Sequence, residues 1–209
     1  MTTTPTRLCL VRHGETDWNV AHRIQGQTDV PLNAVGIAQA QTLATVLATR
    51  LPALGVSPPT VFSSDLQRAR QTAEVIALAL GGAVTTHVAL RERHYGVIEG
   101  LTAAEMAHQQ PACHAPYLAR DRAFEFVNGE SLNAFAARVM AGLAALLDAH
   151  PGQTLLAATH GGVLDVLYRA ATGRDLSTPR DFTLPNCATN WFFYRAGVWE
   201  LEAWGAFPA

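Results

Sequence analysis

Charged residues are scarce in this sequence, and their charges nearly cancel. Aspartate, glutamate, lysine and arginine account for 15% of the 209 residues, and the formal net charge is −2, whereas an ordinary domain holds roughly 25% charged residues. So little excess charge gives no field that attracts nucleic acid or anionic lipid, and neither is an expected partner. An anionic substrate would therefore have to be held by individual arginines in its pocket.

The sequence also lacks a disulfide framework and a long apolar run. Its three cysteines, Cys9, Cys113 and Cys187, are an odd number without framework spacing, which favours reduced thiols and a cytoplasmic location. No apolar run reaches the roughly 18 residues that span a bilayer, and the first residues lack the basic and apolar regions of a signal peptide. We therefore expect a soluble protein with no membrane partner.

Predicted strands and helices alternate along the chain. Short apolar runs predict strands at about 7–11, 60–62, 84–89 and 154–159, and a helical period predicts helices at about 33–50, 65–80, 131–150 and 161–172. An aromatic, alternating segment at 188–204 predicts a terminal hairpin. This order predicts an α/β fold, a three-layer α/β/α sandwich with a mostly parallel sheet. Without a repeat or linker, residues 1–209 are expected to form a single domain.

One segment departs from this alternation. Thr102 and Glu105 have the spacing of a capping box and predict a short helix. From 109 to 129 the periodicity fades, and Pro111 and Pro116 interrupt it. We therefore predict an irregular insertion at about 102–129 that covers the functional site.

Polar side chains with catalytic chemistry follow the predicted strands. His13 ends the first strand, Glu92 follows the third, His160 ends the fourth, and Arg68 begins a helix. Because the carboxyl ends of parallel strands meet at one sheet edge, these residues are expected to converge. A neutral imidazole can attack phosphorus, arginine forks can bind phosphoryl oxygens, and a carboxyl group can protonate the leaving oxygen. The set predicts phosphoryl transfer.

Four motifs carry a resemblance to a known family. RHGETDWN at 12–19, SSDLQRARQTAE at 63–74, RERHYGVIEG at 91–100 and THGG at 159–162 resemble the histidine phosphatase superfamily, also called the phosphoglycerate mutase-like family. The resemblance covers nearly the whole chain in the family's order. It implies the phosphoglycerate mutase-like fold and a phosphorylated His13, without metal or cofactor.

The resemblance also implies roles for individual residues. Arg12, Arg68 and His160 would hold the phosphoryl group, and Glu92 would act first as acid and then as base. The residues that it places in the phosphate and substrate pocket are Thr16, Asn19, Gln25, Gly26, Arg93, Tyr95 and Gly161.

The family contains both phosphatases and mutases. The run ERHYG at 92–96 is more typical of mutases, but the mutase lysine falls at Ala103, and only Arg120 and Arg122 stand near the place of an adjacent arginine pair. The short separation between the acid and the second histidine also departs from the mutases. We therefore predict a phosphomonoester hydrolase acting on a small phosphorylated metabolite, with a phosphoglycerate mutase as the alternative.

Two other classes are less favoured. A metallohydrolase would use His13 and His160 as ligands, but a third ligand at motif spacing is absent. A non-enzymatic phospholigand-binding protein would keep the fold without turnover. Glu99 competes with Glu92 for the acid role but could instead pair with an arginine, and we expect Trp18 to pack against its loop. An exposed side of the terminal hairpin would suit a dimer, so a monomer or homodimer is expected.

Overall fold

A computed structural model describes residues 4–56 and 59–208. Residues 1–3 lie outside the described residues. So do residues 57–58, which belong to a proline- and glycine-containing segment at 52–59 that the sequence predicts to end the helix at 33–50. The strands are β1 (Thr6–Arg12), β2 (Thr60–Ser63), β3 (Val84–Thr86), β4 (Thr154–Thr159), β5 (Thr189–Arg195) and β6 (Val198–Trp204). The helices are α1 (Asp17–Val20), α2 (Ala34–Ala53), α3 (Gln67–Ala79), α4 (Ala103–Gln109), α5 (Pro111–Leu118), α6 (Leu132–Asp148) and α7 (Gly161–Thr172).

The strands form one mixed sheet in the order β3-β2-β4-β1-β5-β6. β3, β2, β4 and β1 run parallel, and the hairpin β5–β6 extends the sheet antiparallel to β1. In the register of β1 with β4, Arg12 lies opposite Thr159. His13 and His160 are the next residues on the two strands, so the pairing brings both histidines to the same sheet edge.

Both faces of the sheet are covered. Leu8 and Leu10 of β1 pack in a core cluster with α6 and α7, and Cys9 and Val11 pack in a second cluster with α2 and α3. A strand buried on both faces reads as a continuous apolar run, which is why β1 was predictable. The predicted α/β architecture with a mostly parallel sheet is confirmed. No helix in the described ranges is long and apolar enough to cross a bilayer.

Several local predictions are wrong. The helical period places Ile37 on the buried face of α2 together with Ala40 and Leu47, but Ile37 is 42% exposed, because Gly36, Ala40 and Leu47 define the buried stripe. The predicted strand at 84–89 ends at residue 86. There, the His87 ring accepts the Ala89 N–H and caps a 3₁₀ turn.

The predicted start of α3 also differs. The sequence offers Ser63, Ser64 and Asp65 as residues that could cap the helix predicted at 65–80, but its N-cap is Leu66, without a side-chain hydrogen bond. Asp65 instead accepts the Nε–H of Arg91 at 2.7 Å. The carboxylate therefore joins the helix start to the segment that carries Glu92.

The segment at 102–129 contains more helix than predicted. The Thr102–Glu105 capping box is confirmed at the start of α4, and α5 begins at Pro111, a position where proline's missing N–H leaves no bond unmade. A small core cluster around Met106 and Phe126 holds the two helices to Ile98. The prediction of irregular structure is wrong for 111–118. Neither short helix has a strong period, and burial against this cluster orders them.

Candidate active site

A cavity of about 790 Å³ opens at the carboxyl ends of the parallel strands. Its lining includes four of the residues predicted to be catalytic, which are Arg12, His13, Arg68 and Glu92. Five of the residues predicted to bind substrate also line it: Asn19, Gln25, Gly26, Tyr95 and Gly161. The fold therefore brings together residues from widely separated motifs.

The backbone of His13 is held on both sides. Its N–H donates to the Thr159 carbonyl at 2.9 Å, which extends the β1–β4 ladder by one residue. Its carbonyl accepts the Asn186 Nδ2–H at 2.7 Å. The following Gly14 packs so closely on α2 that an added Cβ would lie 2.5 Å from the Gly36 carbonyl oxygen. Glycine is therefore required at position 14.

The ring of His13 has a defined tautomer. Its Nδ1 lies 2.7 Å from the Gly14 carbonyl oxygen, and because a carbonyl only accepts, Nδ1 must carry the proton. The lone pair is then on Nε2. Burial, reinforced by the positive charges of Arg68 and Arg12, lowers the pKa of His13 well below its ordinary value. The imidazole is therefore neutral at neutral pH, as a nucleophile must be.

His160 lies beside His13, with ring centroids 5.3 Å apart. It precedes the first turn of α7 and is fully buried. Neither ring nitrogen has a hydrogen-bond partner among the described residues. Burial and the nearby Arg68 lower the pKa of His160 well below the usual range. An unpartnered, neutral imidazole here can donate a hydrogen bond to an anion.

Two guanidinium groups supply the positive charge of the cavity. Arg68 is fully buried and donates to the carbonyls of Thr28 and Gly26 at 2.9 and 2.6 Å. Burial lowers its pKa to about 10, so it keeps its proton at neutral pH. Arg12 donates through Nη1 to the Leu184 carbonyl. The buried Nε of both arginines lacks a partner within the described part of the chain, which leaves two donors for a bound anion.

The loop that holds Arg68 is itself organised by Glu99. The Glu99 carboxylate accepts the backbone N–H groups of Gln27 and Thr28 at 3.0 and 2.9 Å. Gly26 has a positive φ of 53°, and a Cβ there would lie 2.1 Å from a Glu99 oxygen. Among the described residues, Glu99 forms no ion pair with an arginine. Glu99 binds the loop whose carbonyls hold Arg68.

Glu92 is held at the amino end of α7. Its two carboxylate oxygens accept the Arg93 N–H at 2.8 Å and the Gly162 N–H at 2.9 Å. An added Cβ on Gly162 would lie 2.0 Å from the nearer oxygen. The glycine pair after His160 thus permits the carboxylate to approach the helix start, where backbone N–H groups favour negative charge.

Two predicted substrate-binding residues lie outside the cavity lining. Thr16 is buried and forms a capping box with Asn19, so it orients a lining residue without lining the cavity itself. The Arg93 guanidinium donates to the carbonyls of Glu130 and Phe124 and lines a neighbouring cavity of about 240 Å³.

Other lining residues were not predicted from the sequence. Trp18 packs against Gly100, close to the expected role, but also lines the cavity. The α7–β5 loop, residues 173–188, contributes Arg180, Leu184 and Asn186. The predicted terminal hairpin could have indicated that this loop lies at the cavity. Because β5 runs antiparallel to β1, the residues just before β5 must lie where β1 ends.

The donor set does not favour a metal centre. Within residues 4–56 and 59–208, no group of three or more His, Cys, Asp or Glu side chains is arranged to hold a metal ion. The positive charge at the cavity instead comes from arginines. The arrangement can bind a phosphoryl group between two guanidinium groups and a neutral histidine.

Comparisons with known proteins find relatives over nearly the whole chain. The family model described as "Histidine phosphatase superfamily (branch 1)" matches residues 8–206. A metal-independent phosphoserine phosphatase of Arabidopsis thaliana is 35% identical over 201 residues, which cover 95% of this chain and 81% of that protein. A protein of Proteus mirabilis (strain HI4320) named probable phosphoglycerate mutase GpmB is 36% identical over 195 residues, covering 93% and 88%.

A solved structure is similar over the same extent. The structure of a mycobacterial glucosyl-3-phosphoglycerate phosphatase in complex with VO3 superposes with a TM-score of 0.81 at 30% identity. The match covers 96% of this chain and 99% of that one. The similarity therefore extends over all elements that build the cavity.

Proposed function

Because the chain belongs to the histidine phosphatase superfamily (branch 1), we propose that it is a phosphomonoester hydrolase that forms a phosphohistidine at His13. Its substrate is a small phosphorylated metabolite. Two of the similar proteins are named as phosphatases, one for phosphoserine and one for glucosyl-3-phosphoglycerate. These names support hydrolysis without identifying the substrate of this chain.

The single observation that carries the proposal is the hydrogen bond between His13 Nδ1 and the Gly14 carbonyl. It places the proton on Nδ1 and leaves the Nε2 lone pair for attack on phosphorus. Burial beside two arginines keeps the ring unprotonated. The two arginines that would bind the phosphoryl group therefore also keep His13 in its nucleophilic, neutral form.

The first chemical step transfers the phosphoryl group to the enzyme. Nε2 of His13 forms a bond to phosphorus while the bond from phosphorus to the leaving oxygen breaks. Arg12, Arg68 and His160 donate to the phosphoryl oxygens and stabilise their charge in the transition state. Glu92, which lines the same cavity, gives a proton to the leaving oxygen, so a neutral alcohol departs.

The second step returns the enzyme to its starting state. Glu92, now ionised, takes a proton from water, and the water oxygen attacks phosphorus as the bond to His13 breaks. Phosphate leaves, and the carboxyl proton is restored. The residues need no metal or cofactor for this cycle. A cytoplasmic location and a monomeric or homodimeric state stay predictions.

Phosphoglycerate mutase is the second candidate, and the GpmB relative favours it. In a mutase, a hydroxyl group of the retained substrate attacks the phosphoenzyme in place of water. Incubation with 3-phosphoglycerate separates the two functions. A phosphatase that accepts 3-phosphoglycerate releases inorganic phosphate and glycerate, whereas isomerisation to 2-phosphoglycerate without free phosphate would establish the mutase.

The phosphoenzyme itself can be tested by rapid mixing with a phosphomonoester, alkaline quenching and peptide mapping. We expect an acid-labile phosphate on the peptide 13–23, and we expect His13→Ala to abolish both this label and turnover. His22→Ala changes the other histidine of the same peptide and should keep the label. A His13→Ala protein that is still labelled on this peptide would refute the nucleophile, and no turnover of any phosphomonoester would favour a non-enzymatic binding protein.

A further inference from the structure

A second cavity adjoins the one that contains His13. It has a volume of about 240 Å³. Four residues, Tyr95, Tyr117, Gly162 and Arg180, line both cavities. A substrate with its phosphoryl group at His13 therefore has a second, smaller space next to its binding site.

The charges around the second cavity do not balance. Its charged lining residues are three arginines, Arg93, Arg120 and Arg180, and a single carboxylate, Asp165. Asp165 is 2% exposed. It already accepts hydrogen bonds from Arg120 and Arg180, as well as from Arg169 on its own helix. A single carboxylate is thus shared by several arginines, and excess positive charge in a partly closed space is unfavourable, so the lining is suited to a further anionic group.

Arg180 is the arginine with free donors at the boundary between the cavities. Its Nε donates to Asp165 at 3.2 Å, and within the described ranges its two Nη atoms make no hydrogen bond. Arg93, by contrast, is held by the carbonyls of Glu130 and Phe124. The Arg120 guanidinium is held by the Leu176 carbonyl and Asp165. Asp165 thus fixes one edge of the Arg180 fork and leaves the other edge open.

We propose that Arg180 is a specificity-determining residue that binds a carboxylate of the substrate, and that the second cavity receives this group. The inference rests on the proposed function and names its substrate class: phosphomonoesters that also carry a carboxylate. The planar Arg180 fork can donate two parallel hydrogen bonds to a carboxylate. The added negative charge offsets the excess of arginines.

The test compares two ligands that differ only in the carboxylate, O-phosphoserine and O-phosphoethanolamine. Titration calorimetry on the His13→Ala protein measures both dissociation constants without turnover. We expect phosphoserine to bind at least about tenfold more tightly, since a hydrogen bond to a charged group contributes on the order of a factor of ten or more in affinity. Adding Arg180→Gln should reduce this preference to near one, and Arg180→Lys should keep part of it.

Arg174→Gln is the matched control. The Arg174 side chain has the same 39% exposure as that of Arg180, pairs with Asp181 and lines neither cavity. Its replacement changes the net charge equally and should leave the preference intact. Thermal unfolding of each variant checks that it is folded.

Two outcomes would overturn the proposal: equal affinity of the two ligands, or a preference that Arg180→Gln leaves unchanged. Absence of phosphoserine binding would also overturn it. Hydrolysis of p-nitrophenyl phosphate by the wild-type protein is measured separately. If neither this hydrolysis nor any other turnover is detected, the proposed function fails. The affinities for phosphoserine and phosphoethanolamine would still decide whether Arg180 binds a carboxylate.

Discussion

His13 and His160 are buried without charge, and this has a consequence for stability at low pH. Their pKa values in the folded protein lie well below the ordinary histidine value. As pH falls through about 6.5, these two histidines therefore bind protons in the unfolded chain but not in the folded protein. The free energy of unfolding should therefore fall on acidification, by up to about 1.4 kcal/mol per pH unit for each histidine.

Urea denaturation between pH 7.5 and 5.5 measures this dependence. The variants His13→Gln and His160→Gln should each show a shallower decrease than the wild-type protein, because each removes a group that is protonated only after unfolding. A decrease of the same steepness in all three proteins would mean that neither histidine is forced to stay neutral.

Glu92 provides a second prediction at the scale of one residue. Glu92→Gln cannot donate a proton to the leaving oxygen, so kcat/KM with an alkyl phosphate, which reports on the first step alone, should fall by about 100-fold or more. With p-nitrophenyl phosphate the loss should be much smaller, because p-nitrophenolate leaves without a proton. Glu74→Gln, at an exposed position of α3, is the control. Equal losses on both substrates would argue against an acid role for Glu92.

At the scale of elements, the α7–β5 loop holds two groups of the site. Its Leu184 carbonyl accepts from Arg12, and its Asn186 side chain donates to the carbonyl of His13. The loop is anchored by Phe182, whose ring centroid is 4.1 Å from that of Tyr168. The Trp204 indole adds a hydrogen bond of 3.1 Å to the Thr183 carbonyl.

Removal of this anchor should affect catalysis. Phe182→Ala removes the contact with Tyr168, and the loop should then hold Arg12 less firmly. We expect kcat/KM to fall by about 10- to 100-fold, since small displacements of positioning groups are costly. Phe193→Ala is a suitable control because Phe193 pairs with Arg7 at the opposite end of β1. Equal effects of both variants on kcat/KM would show that the anchor has no particular role.

The sequence predicted elements well where their pattern is regular. The helix α6 begins where its period predicts, with Ser131 as N-cap, and α7 ends at Gly173 in the left-handed conformation. The sequence predicted elements poorly where contacts between distant segments determine the local structure. α5 forms without a strong apolar period, and Arg180 reaches the cavity from a loop whose path depends on Phe182. Such positions follow from packing between distant segments, which periodicity does not describe.

For the whole molecule, the positive charge at the cavity comes from side chains. Arg12 and Arg68 line the cavity, and the described residues provide no cluster of three metal ligands. We therefore expect dialysis against EDTA to leave kcat/KM unchanged. Added Mg²⁺ or Zn²⁺ should not raise it. Loss of activity with EDTA and recovery with Zn²⁺ would revive the metallohydrolase.

The convergence of the predicted motifs is also a property of the whole fold. The register of β1 with β4 brings His13 and His160 together, and this could be predicted because parallel strands end at one sheet edge. The hydrogen bonds of Glu92 and Glu99 could not, since both depend on where glycines let the backbone approach a carboxylate.

The α7–β5 loop carries both a residue proposed to select the substrate and a residue that holds the nucleophile. Arg180 lies at the boundary of the second cavity, while Asn186, six positions later, holds the backbone of His13. Replacing the entire loop to alter selectivity would also release the nucleophile. Redesign for a new substrate is therefore best confined to the stretch before Phe182, with the anchor and everything after it retained.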